Sequence, residues 1–574
     1  MDHKDRMIKS VFIVTAFSIL GKMTGFLRET IIAAYYGAGA TSDAYFVAFS
    51  LPSILFFVIG ASMGVIFVPM YTQRLKEDSK GSHEFASNII SMVLLIGLIF
   101  SILGIIFSRY IIMLIAPRLS DQNLSIATRL AKIMFPMFIF ISLSYIVTGV
   151  LQSHESFLMP SLISIPSNLI IILGTVLFSK AYGIYALGWG TLIGAGAQLA
   201  VQLPSVRKKL KYKFFIRLSD PSIIAYWKLI IPVVSGAAID KISIMVDNML
   251  ASSLVAGSIS AINYSAKLVD FADSIAIGAI IVVVYPRLAK MNAEKDYDSL
   301  ARTSYNAIIG ISQIIIPIIA ATVILNKDIV KLIFQRGAFQ ESHTDLTAYA
   351  FLYYAFGMWG IGIRGILTRV FYALEDTRTP MKVSIGTLVS NIVLNILLVK
   401  YMGIGGLGLA SSISSTMGVL VLLYLARKNV ANLTFKGIGI EGFKIALAVF
   451  FMVYGMLIFR SSISIDSFYT QILLSYGIGF AIYGGLSYAL GIGLLYKIKP
   501  SKKYSDITSE EYGKDRLWKM RRREIETYRI LRKSGLIGFL VFALLMALSY
   551  IKYIGKLAIE AVMYAVKSLN RREL

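Results

Sequence analysis

Apolar runs long enough to cross a bilayer recur from one end of this chain to the other, separated by short polar stretches that carry Gly and Pro. Taking about 20 residues as one crossing of the hydrocarbon core, the pattern predicts helices near 8–36, 43–70, 87–108, 129–151, 158–179, 183–203, 222–250, 258–285, 303–325, 346–372, 380–400, 404–426, 441–459 and 469–496. These are fourteen transmembrane helices. A fifteenth candidate, "GLIGFLVFALLMALSYI" over 535–551, follows a charged stretch from Lys497 to Ser534. The expected class is an all-α integral membrane protein.

An internal repeat organises the spans. The stretch beginning "GATSDAYFVAFSLP" at Gly39 can be laid on "GSISAINYSAKLVD" at Gly257, which brings Pro69 onto Pro286. Further on, "GVLQSHESFLMPS" from Gly149 lies on "RVFYALEDTRTPM" from Arg369, pairing Pro160 with Pro380 at a spacing of 220. The same spacing pairs Gly183 with Gly403 and Gly188 with Gly408. The chain thus reads as two six-helix halves, 1–220 and 221–437, followed by two more spans in 438–496 and a basic segment with an extra hydrophobic helix in 497–574. Because six is even, both halves start on the same side, so the repeat is parallel with its axis along the membrane normal.

Composition sharpens this. The 574 residues are 56% hydrophobic with mean hydropathy +0.71. Cysteine is absent, which removes disulfides and thiolate chemistry, and four scattered histidines argue against a metalloenzyme. There is no Walker A sequence, and "GIGIRG" around Arg364 lacks a βαβ context, so no enzyme is expected. The net charge of +25 has two readings, nucleic acid or loop orientation. With the N-terminus cytoplasmic, the cytoplasmic loops hold more than twice the Lys and Arg of the outer loops. One of them alone carries Arg207, Lys208, Lys209, Lys211, Lys213 and Arg217. The charge therefore needs no nucleic acid partner. "AGA" at 38–40 looks like a signal-peptide cleavage site, but the segment before it is too long and holds Lys22, Arg28 and Glu29.

Charges inside spans are costly, at least about 2.5–3.5 kcal/mol each at the bilayer centre, so they face protein or water. In span 1, Lys22 and Glu29 share a helix stripe, with Arg28 about 100° round from Glu29. Gly21 and Gly25 have small-xxx-small spacing beside them. Asp43 opens span 2, Lys267 and Asp270 lie in span 8, and Arg364 in span 10. Two lobes facing across a cleft would let Lys22, Arg28 and Lys267 receive a diphosphate or another polyanion. The alternatives are that Lys22 and Glu29 neutralise each other while Arg28 reaches the headgroups, and that Lys267 and Asp270 form a local helix pair. Asp247 with Asn391 and Asn395, one turn apart, offers oxygen ligands for Na⁺, or else buried amides bonded between helices.

Four separated stretches, "SILGKMTGFLRETIIAAYYGAGATSDAYFVAFSLP", "ATRLAKIMFPMFIFISLSYIVTGVLQSHESFLMPSLISIPSN", "LIFQRGAF" and "RVFYALEDTRTPMKVSI", resemble the MurJ (MviN) family of lipid II flippases in the MOP superfamily. The likeness runs over about 8–437, and the fourteen spans fit it to 496. It implies a two-lobed, V-shaped fold that moves lipid-linked peptidoglycan precursor from the inner to the outer leaflet of the bacterial cytoplasmic membrane by alternating access. Coupling would be to membrane potential or an ion gradient, with no cofactor. It also implies that Arg28 matches the family's essential arginine, that Lys22 and Lys267 stand for arginines, that Glu29 replaces an aspartate, and that Asp43 matches the aspartate opening span 2. The two lysines would make point-charge rather than bidentate diphosphate contacts. Phe56 and Phe57 depart from an arginine pair found in many members. Lipid II or another polyprenyl-diphosphate-linked repeat unit is then the cargo. A multidrug/cation antiporter is the rival that these cations disfavour.

The family's 441–496 region forms a groove for the lipid tail. The 497–534 stretch reads as a basic helix for anionic headgroups or a docking site for cell-wall synthesis proteins. The latter would make the chain a non-transporting scaffold if it were the main activity.

Overall fold

The computed structural model describes residues 3–55, 60–276, 278–429, 437–462 and 467–492. Phe56, Phe57 and the whole of 497–574, with its extra hydrophobic helix, lie outside the described residues. Within them every regular element is a helix: α1 (His3–Tyr36), α2 (Ala40–Leu55), α3 (Ala61–Glu77), α4 (Ser79–Ile115), α5 (Asp121–Met134), α6 (Met137–Ser153), α7 (Leu158–Leu162), α8 (Ser164–Tyr182), α9 (Ile184–Ala200), α10 (Leu203–Arg207), α11 (Pro221–Ala251), α12 (Ser258–Ala276), α13 (Gly278–Ala293), α14 (Tyr297–Phe334), α15 (Glu341–Ala355), α16 (Gly357–Ala373), α17 (Arg378–Met402), α18 (Ile404–Asn429), α19 (Ile438–Ser462) and α20 (Phe468–Ala489). Among the described residues nine helical stretches are long and apolar enough to cross a membrane, or ten if α15 and α16, bent by 40°, count as one.

Several expected spans are broken. Span 129–151 runs through α5 and α6, which meet at Phe135 and Pro136; proline lacks the N–H that would continue the first helix. Span 43–70 runs through α2 and α3, with residues 56–59 between them outside the described residues. Span 303–325 belongs to the longer α14, which continues to Phe334 past a non-helical residue at Leu325 (φ −111°, ψ 19°).

Left-handed backbone recurs at a fixed interval. Gly37 and Gly257 (φ 67° and 94°), Glu155 and Glu375 (58° and 63°), and Gly183 and Gly403 (55° and 53°) are each 220 residues apart. The two glutamates close equivalent turns. Ser156 N–H donates to Leu151 O and Asp376 N–H to Phe371 O, each at 2.9 Å, the six-to-one bond that ends a helix on a left-handed residue.

The chain divides into two compact units. The first comprises Met1–Ala272, Ile329–Gly357 and Arg378–Gly418. One core in it joins α3, α4, α6 and the start of α11 through fully buried Phe67, Tyr71, Phe85, Ile89 and Tyr226, with Tyr226 Oη donating to Met63 O at 3.1 Å. Lipid tails are as apolar as these side chains, so close packing and polar contacts, not water exclusion, hold such helices together. The basic connection before α11 is strapped to α4. Buried Asn88 accepts from Arg217 N–H at 3.1 Å and donates to Arg217 O at 3.0 Å, and Lys213 N–H donates to Ser87 Oγ. Asp220 caps α11 by accepting from Ser222 N–H at 2.9 Å and from the Ser222 hydroxyl.

The second unit comprises Asp273–Asp328, Met358–Thr377 and Val419–Leu574. In it α19 packs on α20. Arg460 on α19 pairs with Asp328 on α14. Pro317 leaves the Gln313 carbonyl without its helical donor, and Tyr483 Oη on α20 donates to that oxygen at 2.7 Å. Trp359 Nε1 donates to Ser312 Oγ at 2.9 Å.

Candidate functional site: charges on α1 and an oxygen cluster on α11 and α17

The charged stretch of α1 lies against α8, and the small residues decide how closely. A Cβ on Gly21 would stand 2.2 Å from Ser164 Oγ, closer than atoms can approach. Arg28 continues that small-residue stripe, two turns beyond Gly21, and its guanidinium turns onto α8: Nη1 donates to Asn168 Oδ1 at 3.0 Å. Nη2 forms an ion pair with Glu29, whose side chain is buried, while the Arg28 side chain stays 25% exposed. The Nε–H of Arg28 is buried without a partner. Lys22 and Glu29 were expected to share a stripe; the carboxylate takes Arg28, its chain neighbour, and Lys22 is exposed. Phe26, between them, stacks on Phe271 of α12 with centroids 4.4 Å apart.

Lys267 and Asp270 on α12 are exposed, and the Phe26–Phe271 stack sets α12 against this stretch of α1. Asp43 is elsewhere. Its Oδ2 accepts from Gly257 N–H at 2.6 Å and its Oδ1 from Ser260 N–H at 2.7 Å and Ser260 Oγ at 2.6 Å. Both oxygens thus sit on the orphan donors and the positive dipole end of α12.

Tight backbone packing surrounds that cap. Tyr264 Oη donates to Gly37 O at 3.2 Å, and Ala338 N–H donates to Ala34 O at 2.7 Å. A Cβ on Gly257 would lie 2.1 Å from Ala38 O, and its φ of +94° is itself costly for any other residue. The α1–α2 turn, the start of α12 and the turn before α15 are thereby closed on one another. Arg364 belongs to the second unit, half-buried on α16.

The second cluster joins α11 and α17. Asn395 Nδ2 donates to Asp247 Oδ1 at 2.7 Å and to Asn391 Oδ1 at 3.1 Å. Ser243 Oγ donates to Asn391 Oδ1 at 2.7 Å, and Asn391 Nδ2 to Ser411 Oγ on α18 at 3.2 Å. Asp247, Asn391 and Asn395 are all buried, and Asn395 Oδ1 has no hydrogen-bond partner. A buried carboxylate beside an orphaned carbonyl oxygen is a donor set that suits a hard monovalent or divalent cation.

Asn168 is the residue that the sequence pattern missed. An isolated Asn in an apolar helix carries no spacing signal; the only available hint was its place opposite the Gly21-xxx-Gly25 stripe.

Comparison with known proteins identifies the lineage. The profile of the family described as "Lipid II flippase MurJ" matches residues 32–479. A probable lipid II flippase MurJ of Buchnera aphidicola subsp. Schizaphis graminum is 31% identical over 483 residues, covering 81% of this chain and 93% of that protein. The lipid II flippase MurJ of Burkholderia cenocepacia is 27% identical, over 74% of this chain and 84% of its own. A solved lipid II flippase MurJ in an inward closed conformation superposes with TM-score 0.74 at 26% identity, covering 84% of this chain and 99% of that one. A multidrug resistance MATE transporter of the MOP superfamily superposes with TM-score 0.57 at 16% identity, a likeness of fold alone. With the family profile matching from the last turn of α1 to the middle of α20, the chain belongs to the MurJ lipid II flippase family.

Proposed function

We propose that this protein is a flippase that carries lipid II, an undecaprenyl-diphosphate-linked peptidoglycan precursor, from the inner to the outer leaflet of the bacterial cytoplasmic membrane by alternating access. The observation that carries the reading is Arg28: a cation within the long helix α1, partly exposed, tied to Asn168 of α8 and to Glu29, with a buried Nε–H that has no acceptor. A diphosphate offers several anionic acceptors at once. It competes with Glu29 for Nη2, takes the unpaired Nε–H, and gains the point charge of Lys267, with Lys22 as a further cation on α1. Glu29 keeps Arg28 compensated when no cargo is bound, since a lone buried charge is expensive.

The two six-helix parallel repeats and fourteen spans are part of this proposal, supported by left-handed backbone recurring every 220 residues. So is a cytoplasmic N-terminus, supported by the basic loops. In that orientation the Asp43 cap closes the outer end, and release of Gly257 and Ser260 is the step that opens it. The Asp247, Asn391 and Asn395 cluster would hold a Na⁺ ion, which would supply a counter-charge to the carboxylate and a partner for Asn395 Oδ1. The tail of the lipid would lie along α19 and α20, and 497–534 would rest on anionic headgroups.

Complementation of cells depleted of their lipid II flippase tests the reading. Survival with the unmodified chain and death with Arg28→Ala at equal expression is the expected result. No rescue by a well-expressed unmodified chain would overturn lipid II as cargo and favour a different polyprenyl-diphosphate-linked glycan.

A further inference from the structure

Asn168 holds a place that no other residue type fills equally. It is buried on α8, and its amide meets α1 on both sides. Oδ1 accepts from Arg28 Nη1 at 3.0 Å; Nδ2 donates to Gly21 O at 3.3 Å and to Thr24 Oγ1 at 3.1 Å. Thr24 Oγ1 in turn donates to Gly21 O at 3.0 Å. The amide orientation is dictated by chemistry, because arginine has only donors and a carbonyl oxygen only accepts. Gly25 leaves the room: a Cβ there would stand 3.4 Å from Asn168 Nδ2.

Of the two partners of the guanidinium, Glu29 sits on the same helix and moves with Arg28, whereas Asn168 belongs to a different helix. Asn168 is therefore the fixed reference against which Arg28 is aimed. We propose that Asn168 is the positioning residue of the anion site, an amide clamp that braces α1 at Gly21 and Thr24 and directs the Arg28 guanidinium onto the diphosphate of the cargo. This rests on the lipid-linked diphosphate reading above.

The clamp explains why a neutral amide is used. Aspartate at 168 would set a second carboxylate beside Arg28, lock the guanidinium in an ion pair and turn a lone pair onto Gly21 O. Leucine, of similar size, would strip Arg28 of its acceptor on α8 and Gly21 O of one of its donors. Both changes act on Arg28 without touching the cargo.

The test is a double-mutant cycle on the full chain in lipid nanodiscs, titrated with undecaprenyl diphosphate. Asn168→Leu is expected to weaken binding about tenfold or more, the usual scale of a hydrogen bond to a charged group. In an Arg28→Ala background the same change is expected to do nothing further, because its effect runs through the guanidinium. Asn168→Asp, which keeps size, is expected to lose affinity as well, because its carboxylate holds the guanidinium in an ion pair. Unchanged affinity in Asn168→Leu, or equal losses with and without Arg28, would overturn the clamp. Failure of the unmodified chain to bind the diphosphate would instead overturn the cargo reading. The clamp is then judged by the same cycle read in thermal unfolding: coupled losses support it and additive losses refute it.

Discussion

At the scale of single residues, the charged side chains divide into those that close the structure and those left to act. Asp43 is of the first kind, with three short bonds to the start of α12. Asp43→Asn replaces one acceptor by a donor that faces Gly257 N–H or Ser260 N–H, so the cap is weakened by about 1–2 kcal/mol. Read by crosslinking cysteines placed on the α1–α2 turn and the start of α12, this variant should cross-link less than the parent; equal cross-linking would contradict the closing role. Gly257→Ala should fail to reach a native thermal midpoint, since its Cβ would overlap Ala38 O.

Asp220 gives a pH signature outside the membrane spans. Burial raises its carboxyl, but the hydroxyl and N–H of Ser222, the Arg74 charge and the Ile223 N–H together hold it below the usual carboxylate range. A depressed folded value means that the cap on α11 stabilises above the unfolded value, about pH 4, and that this contribution is lost as pH falls through the folded one. Asp220→Ala should cost about 1 kcal/mol at neutral pH, and the gap from the parent should close below that window in thermal unfolding. A gap independent of pH would contradict it.

Residue chemistry was only partly legible beforehand. The charges of α1 were visible as anomalies in an apolar run, and Gly21 and Gly25 announced a close neighbour. The ion pair was not legible, because the 100° between Arg28 and Glu29 on a helical wheel ignores the reach of two long side chains. Asn168 was not legible either, since its partners lie some 140 residues away in sequence.

At the scale of elements, α14 shows how a proline inside a span is made tolerable. Pro317 frees the Gln313 carbonyl, and Tyr483 from α20 satisfies it. Tyr483→Phe keeps the ring and deletes only that donor, so it should lower stability by about 1 kcal/mol, seen as a lower thermal midpoint in detergent. An unchanged midpoint would show that the carbonyl finds another donor. The apolar runs marked an all-helical chain, and among the described residues nine or ten helical stretches are long and apolar enough to cross a membrane. The runs did not reveal the break between α5 and α6 or the bend between α15 and α16, since a run of hydrophobic residues reads the same whether the helix through it is straight or broken.

At the scale of the whole molecule, the family assignment covers 32–479 and leaves the basic stretch beyond Lys497 outside it. If transport resides in the family region, deletion of 497–574 should retain rescue of flippase-depleted cells; loss of rescue by a stably expressed truncation would favour the scaffold reading. The proposed repeat was read from Gly and Pro because those residues mark turns, and the same interval of 220 separates three pairs of left-handed residues in the described backbone.

The central claim is that Arg28 engages the diphosphate of a lipid that this protein moves across the bilayer. It is tested most directly by reconstituting the full chain in liposomes and measuring the appearance of labelled lipid II in the opposite leaflet. The account predicts transfer by the unmodified chain and its loss in Arg28→Ala when equal amounts of folded protein are reconstituted. Transfer by Arg28→Ala at the rate of the parent would contradict it.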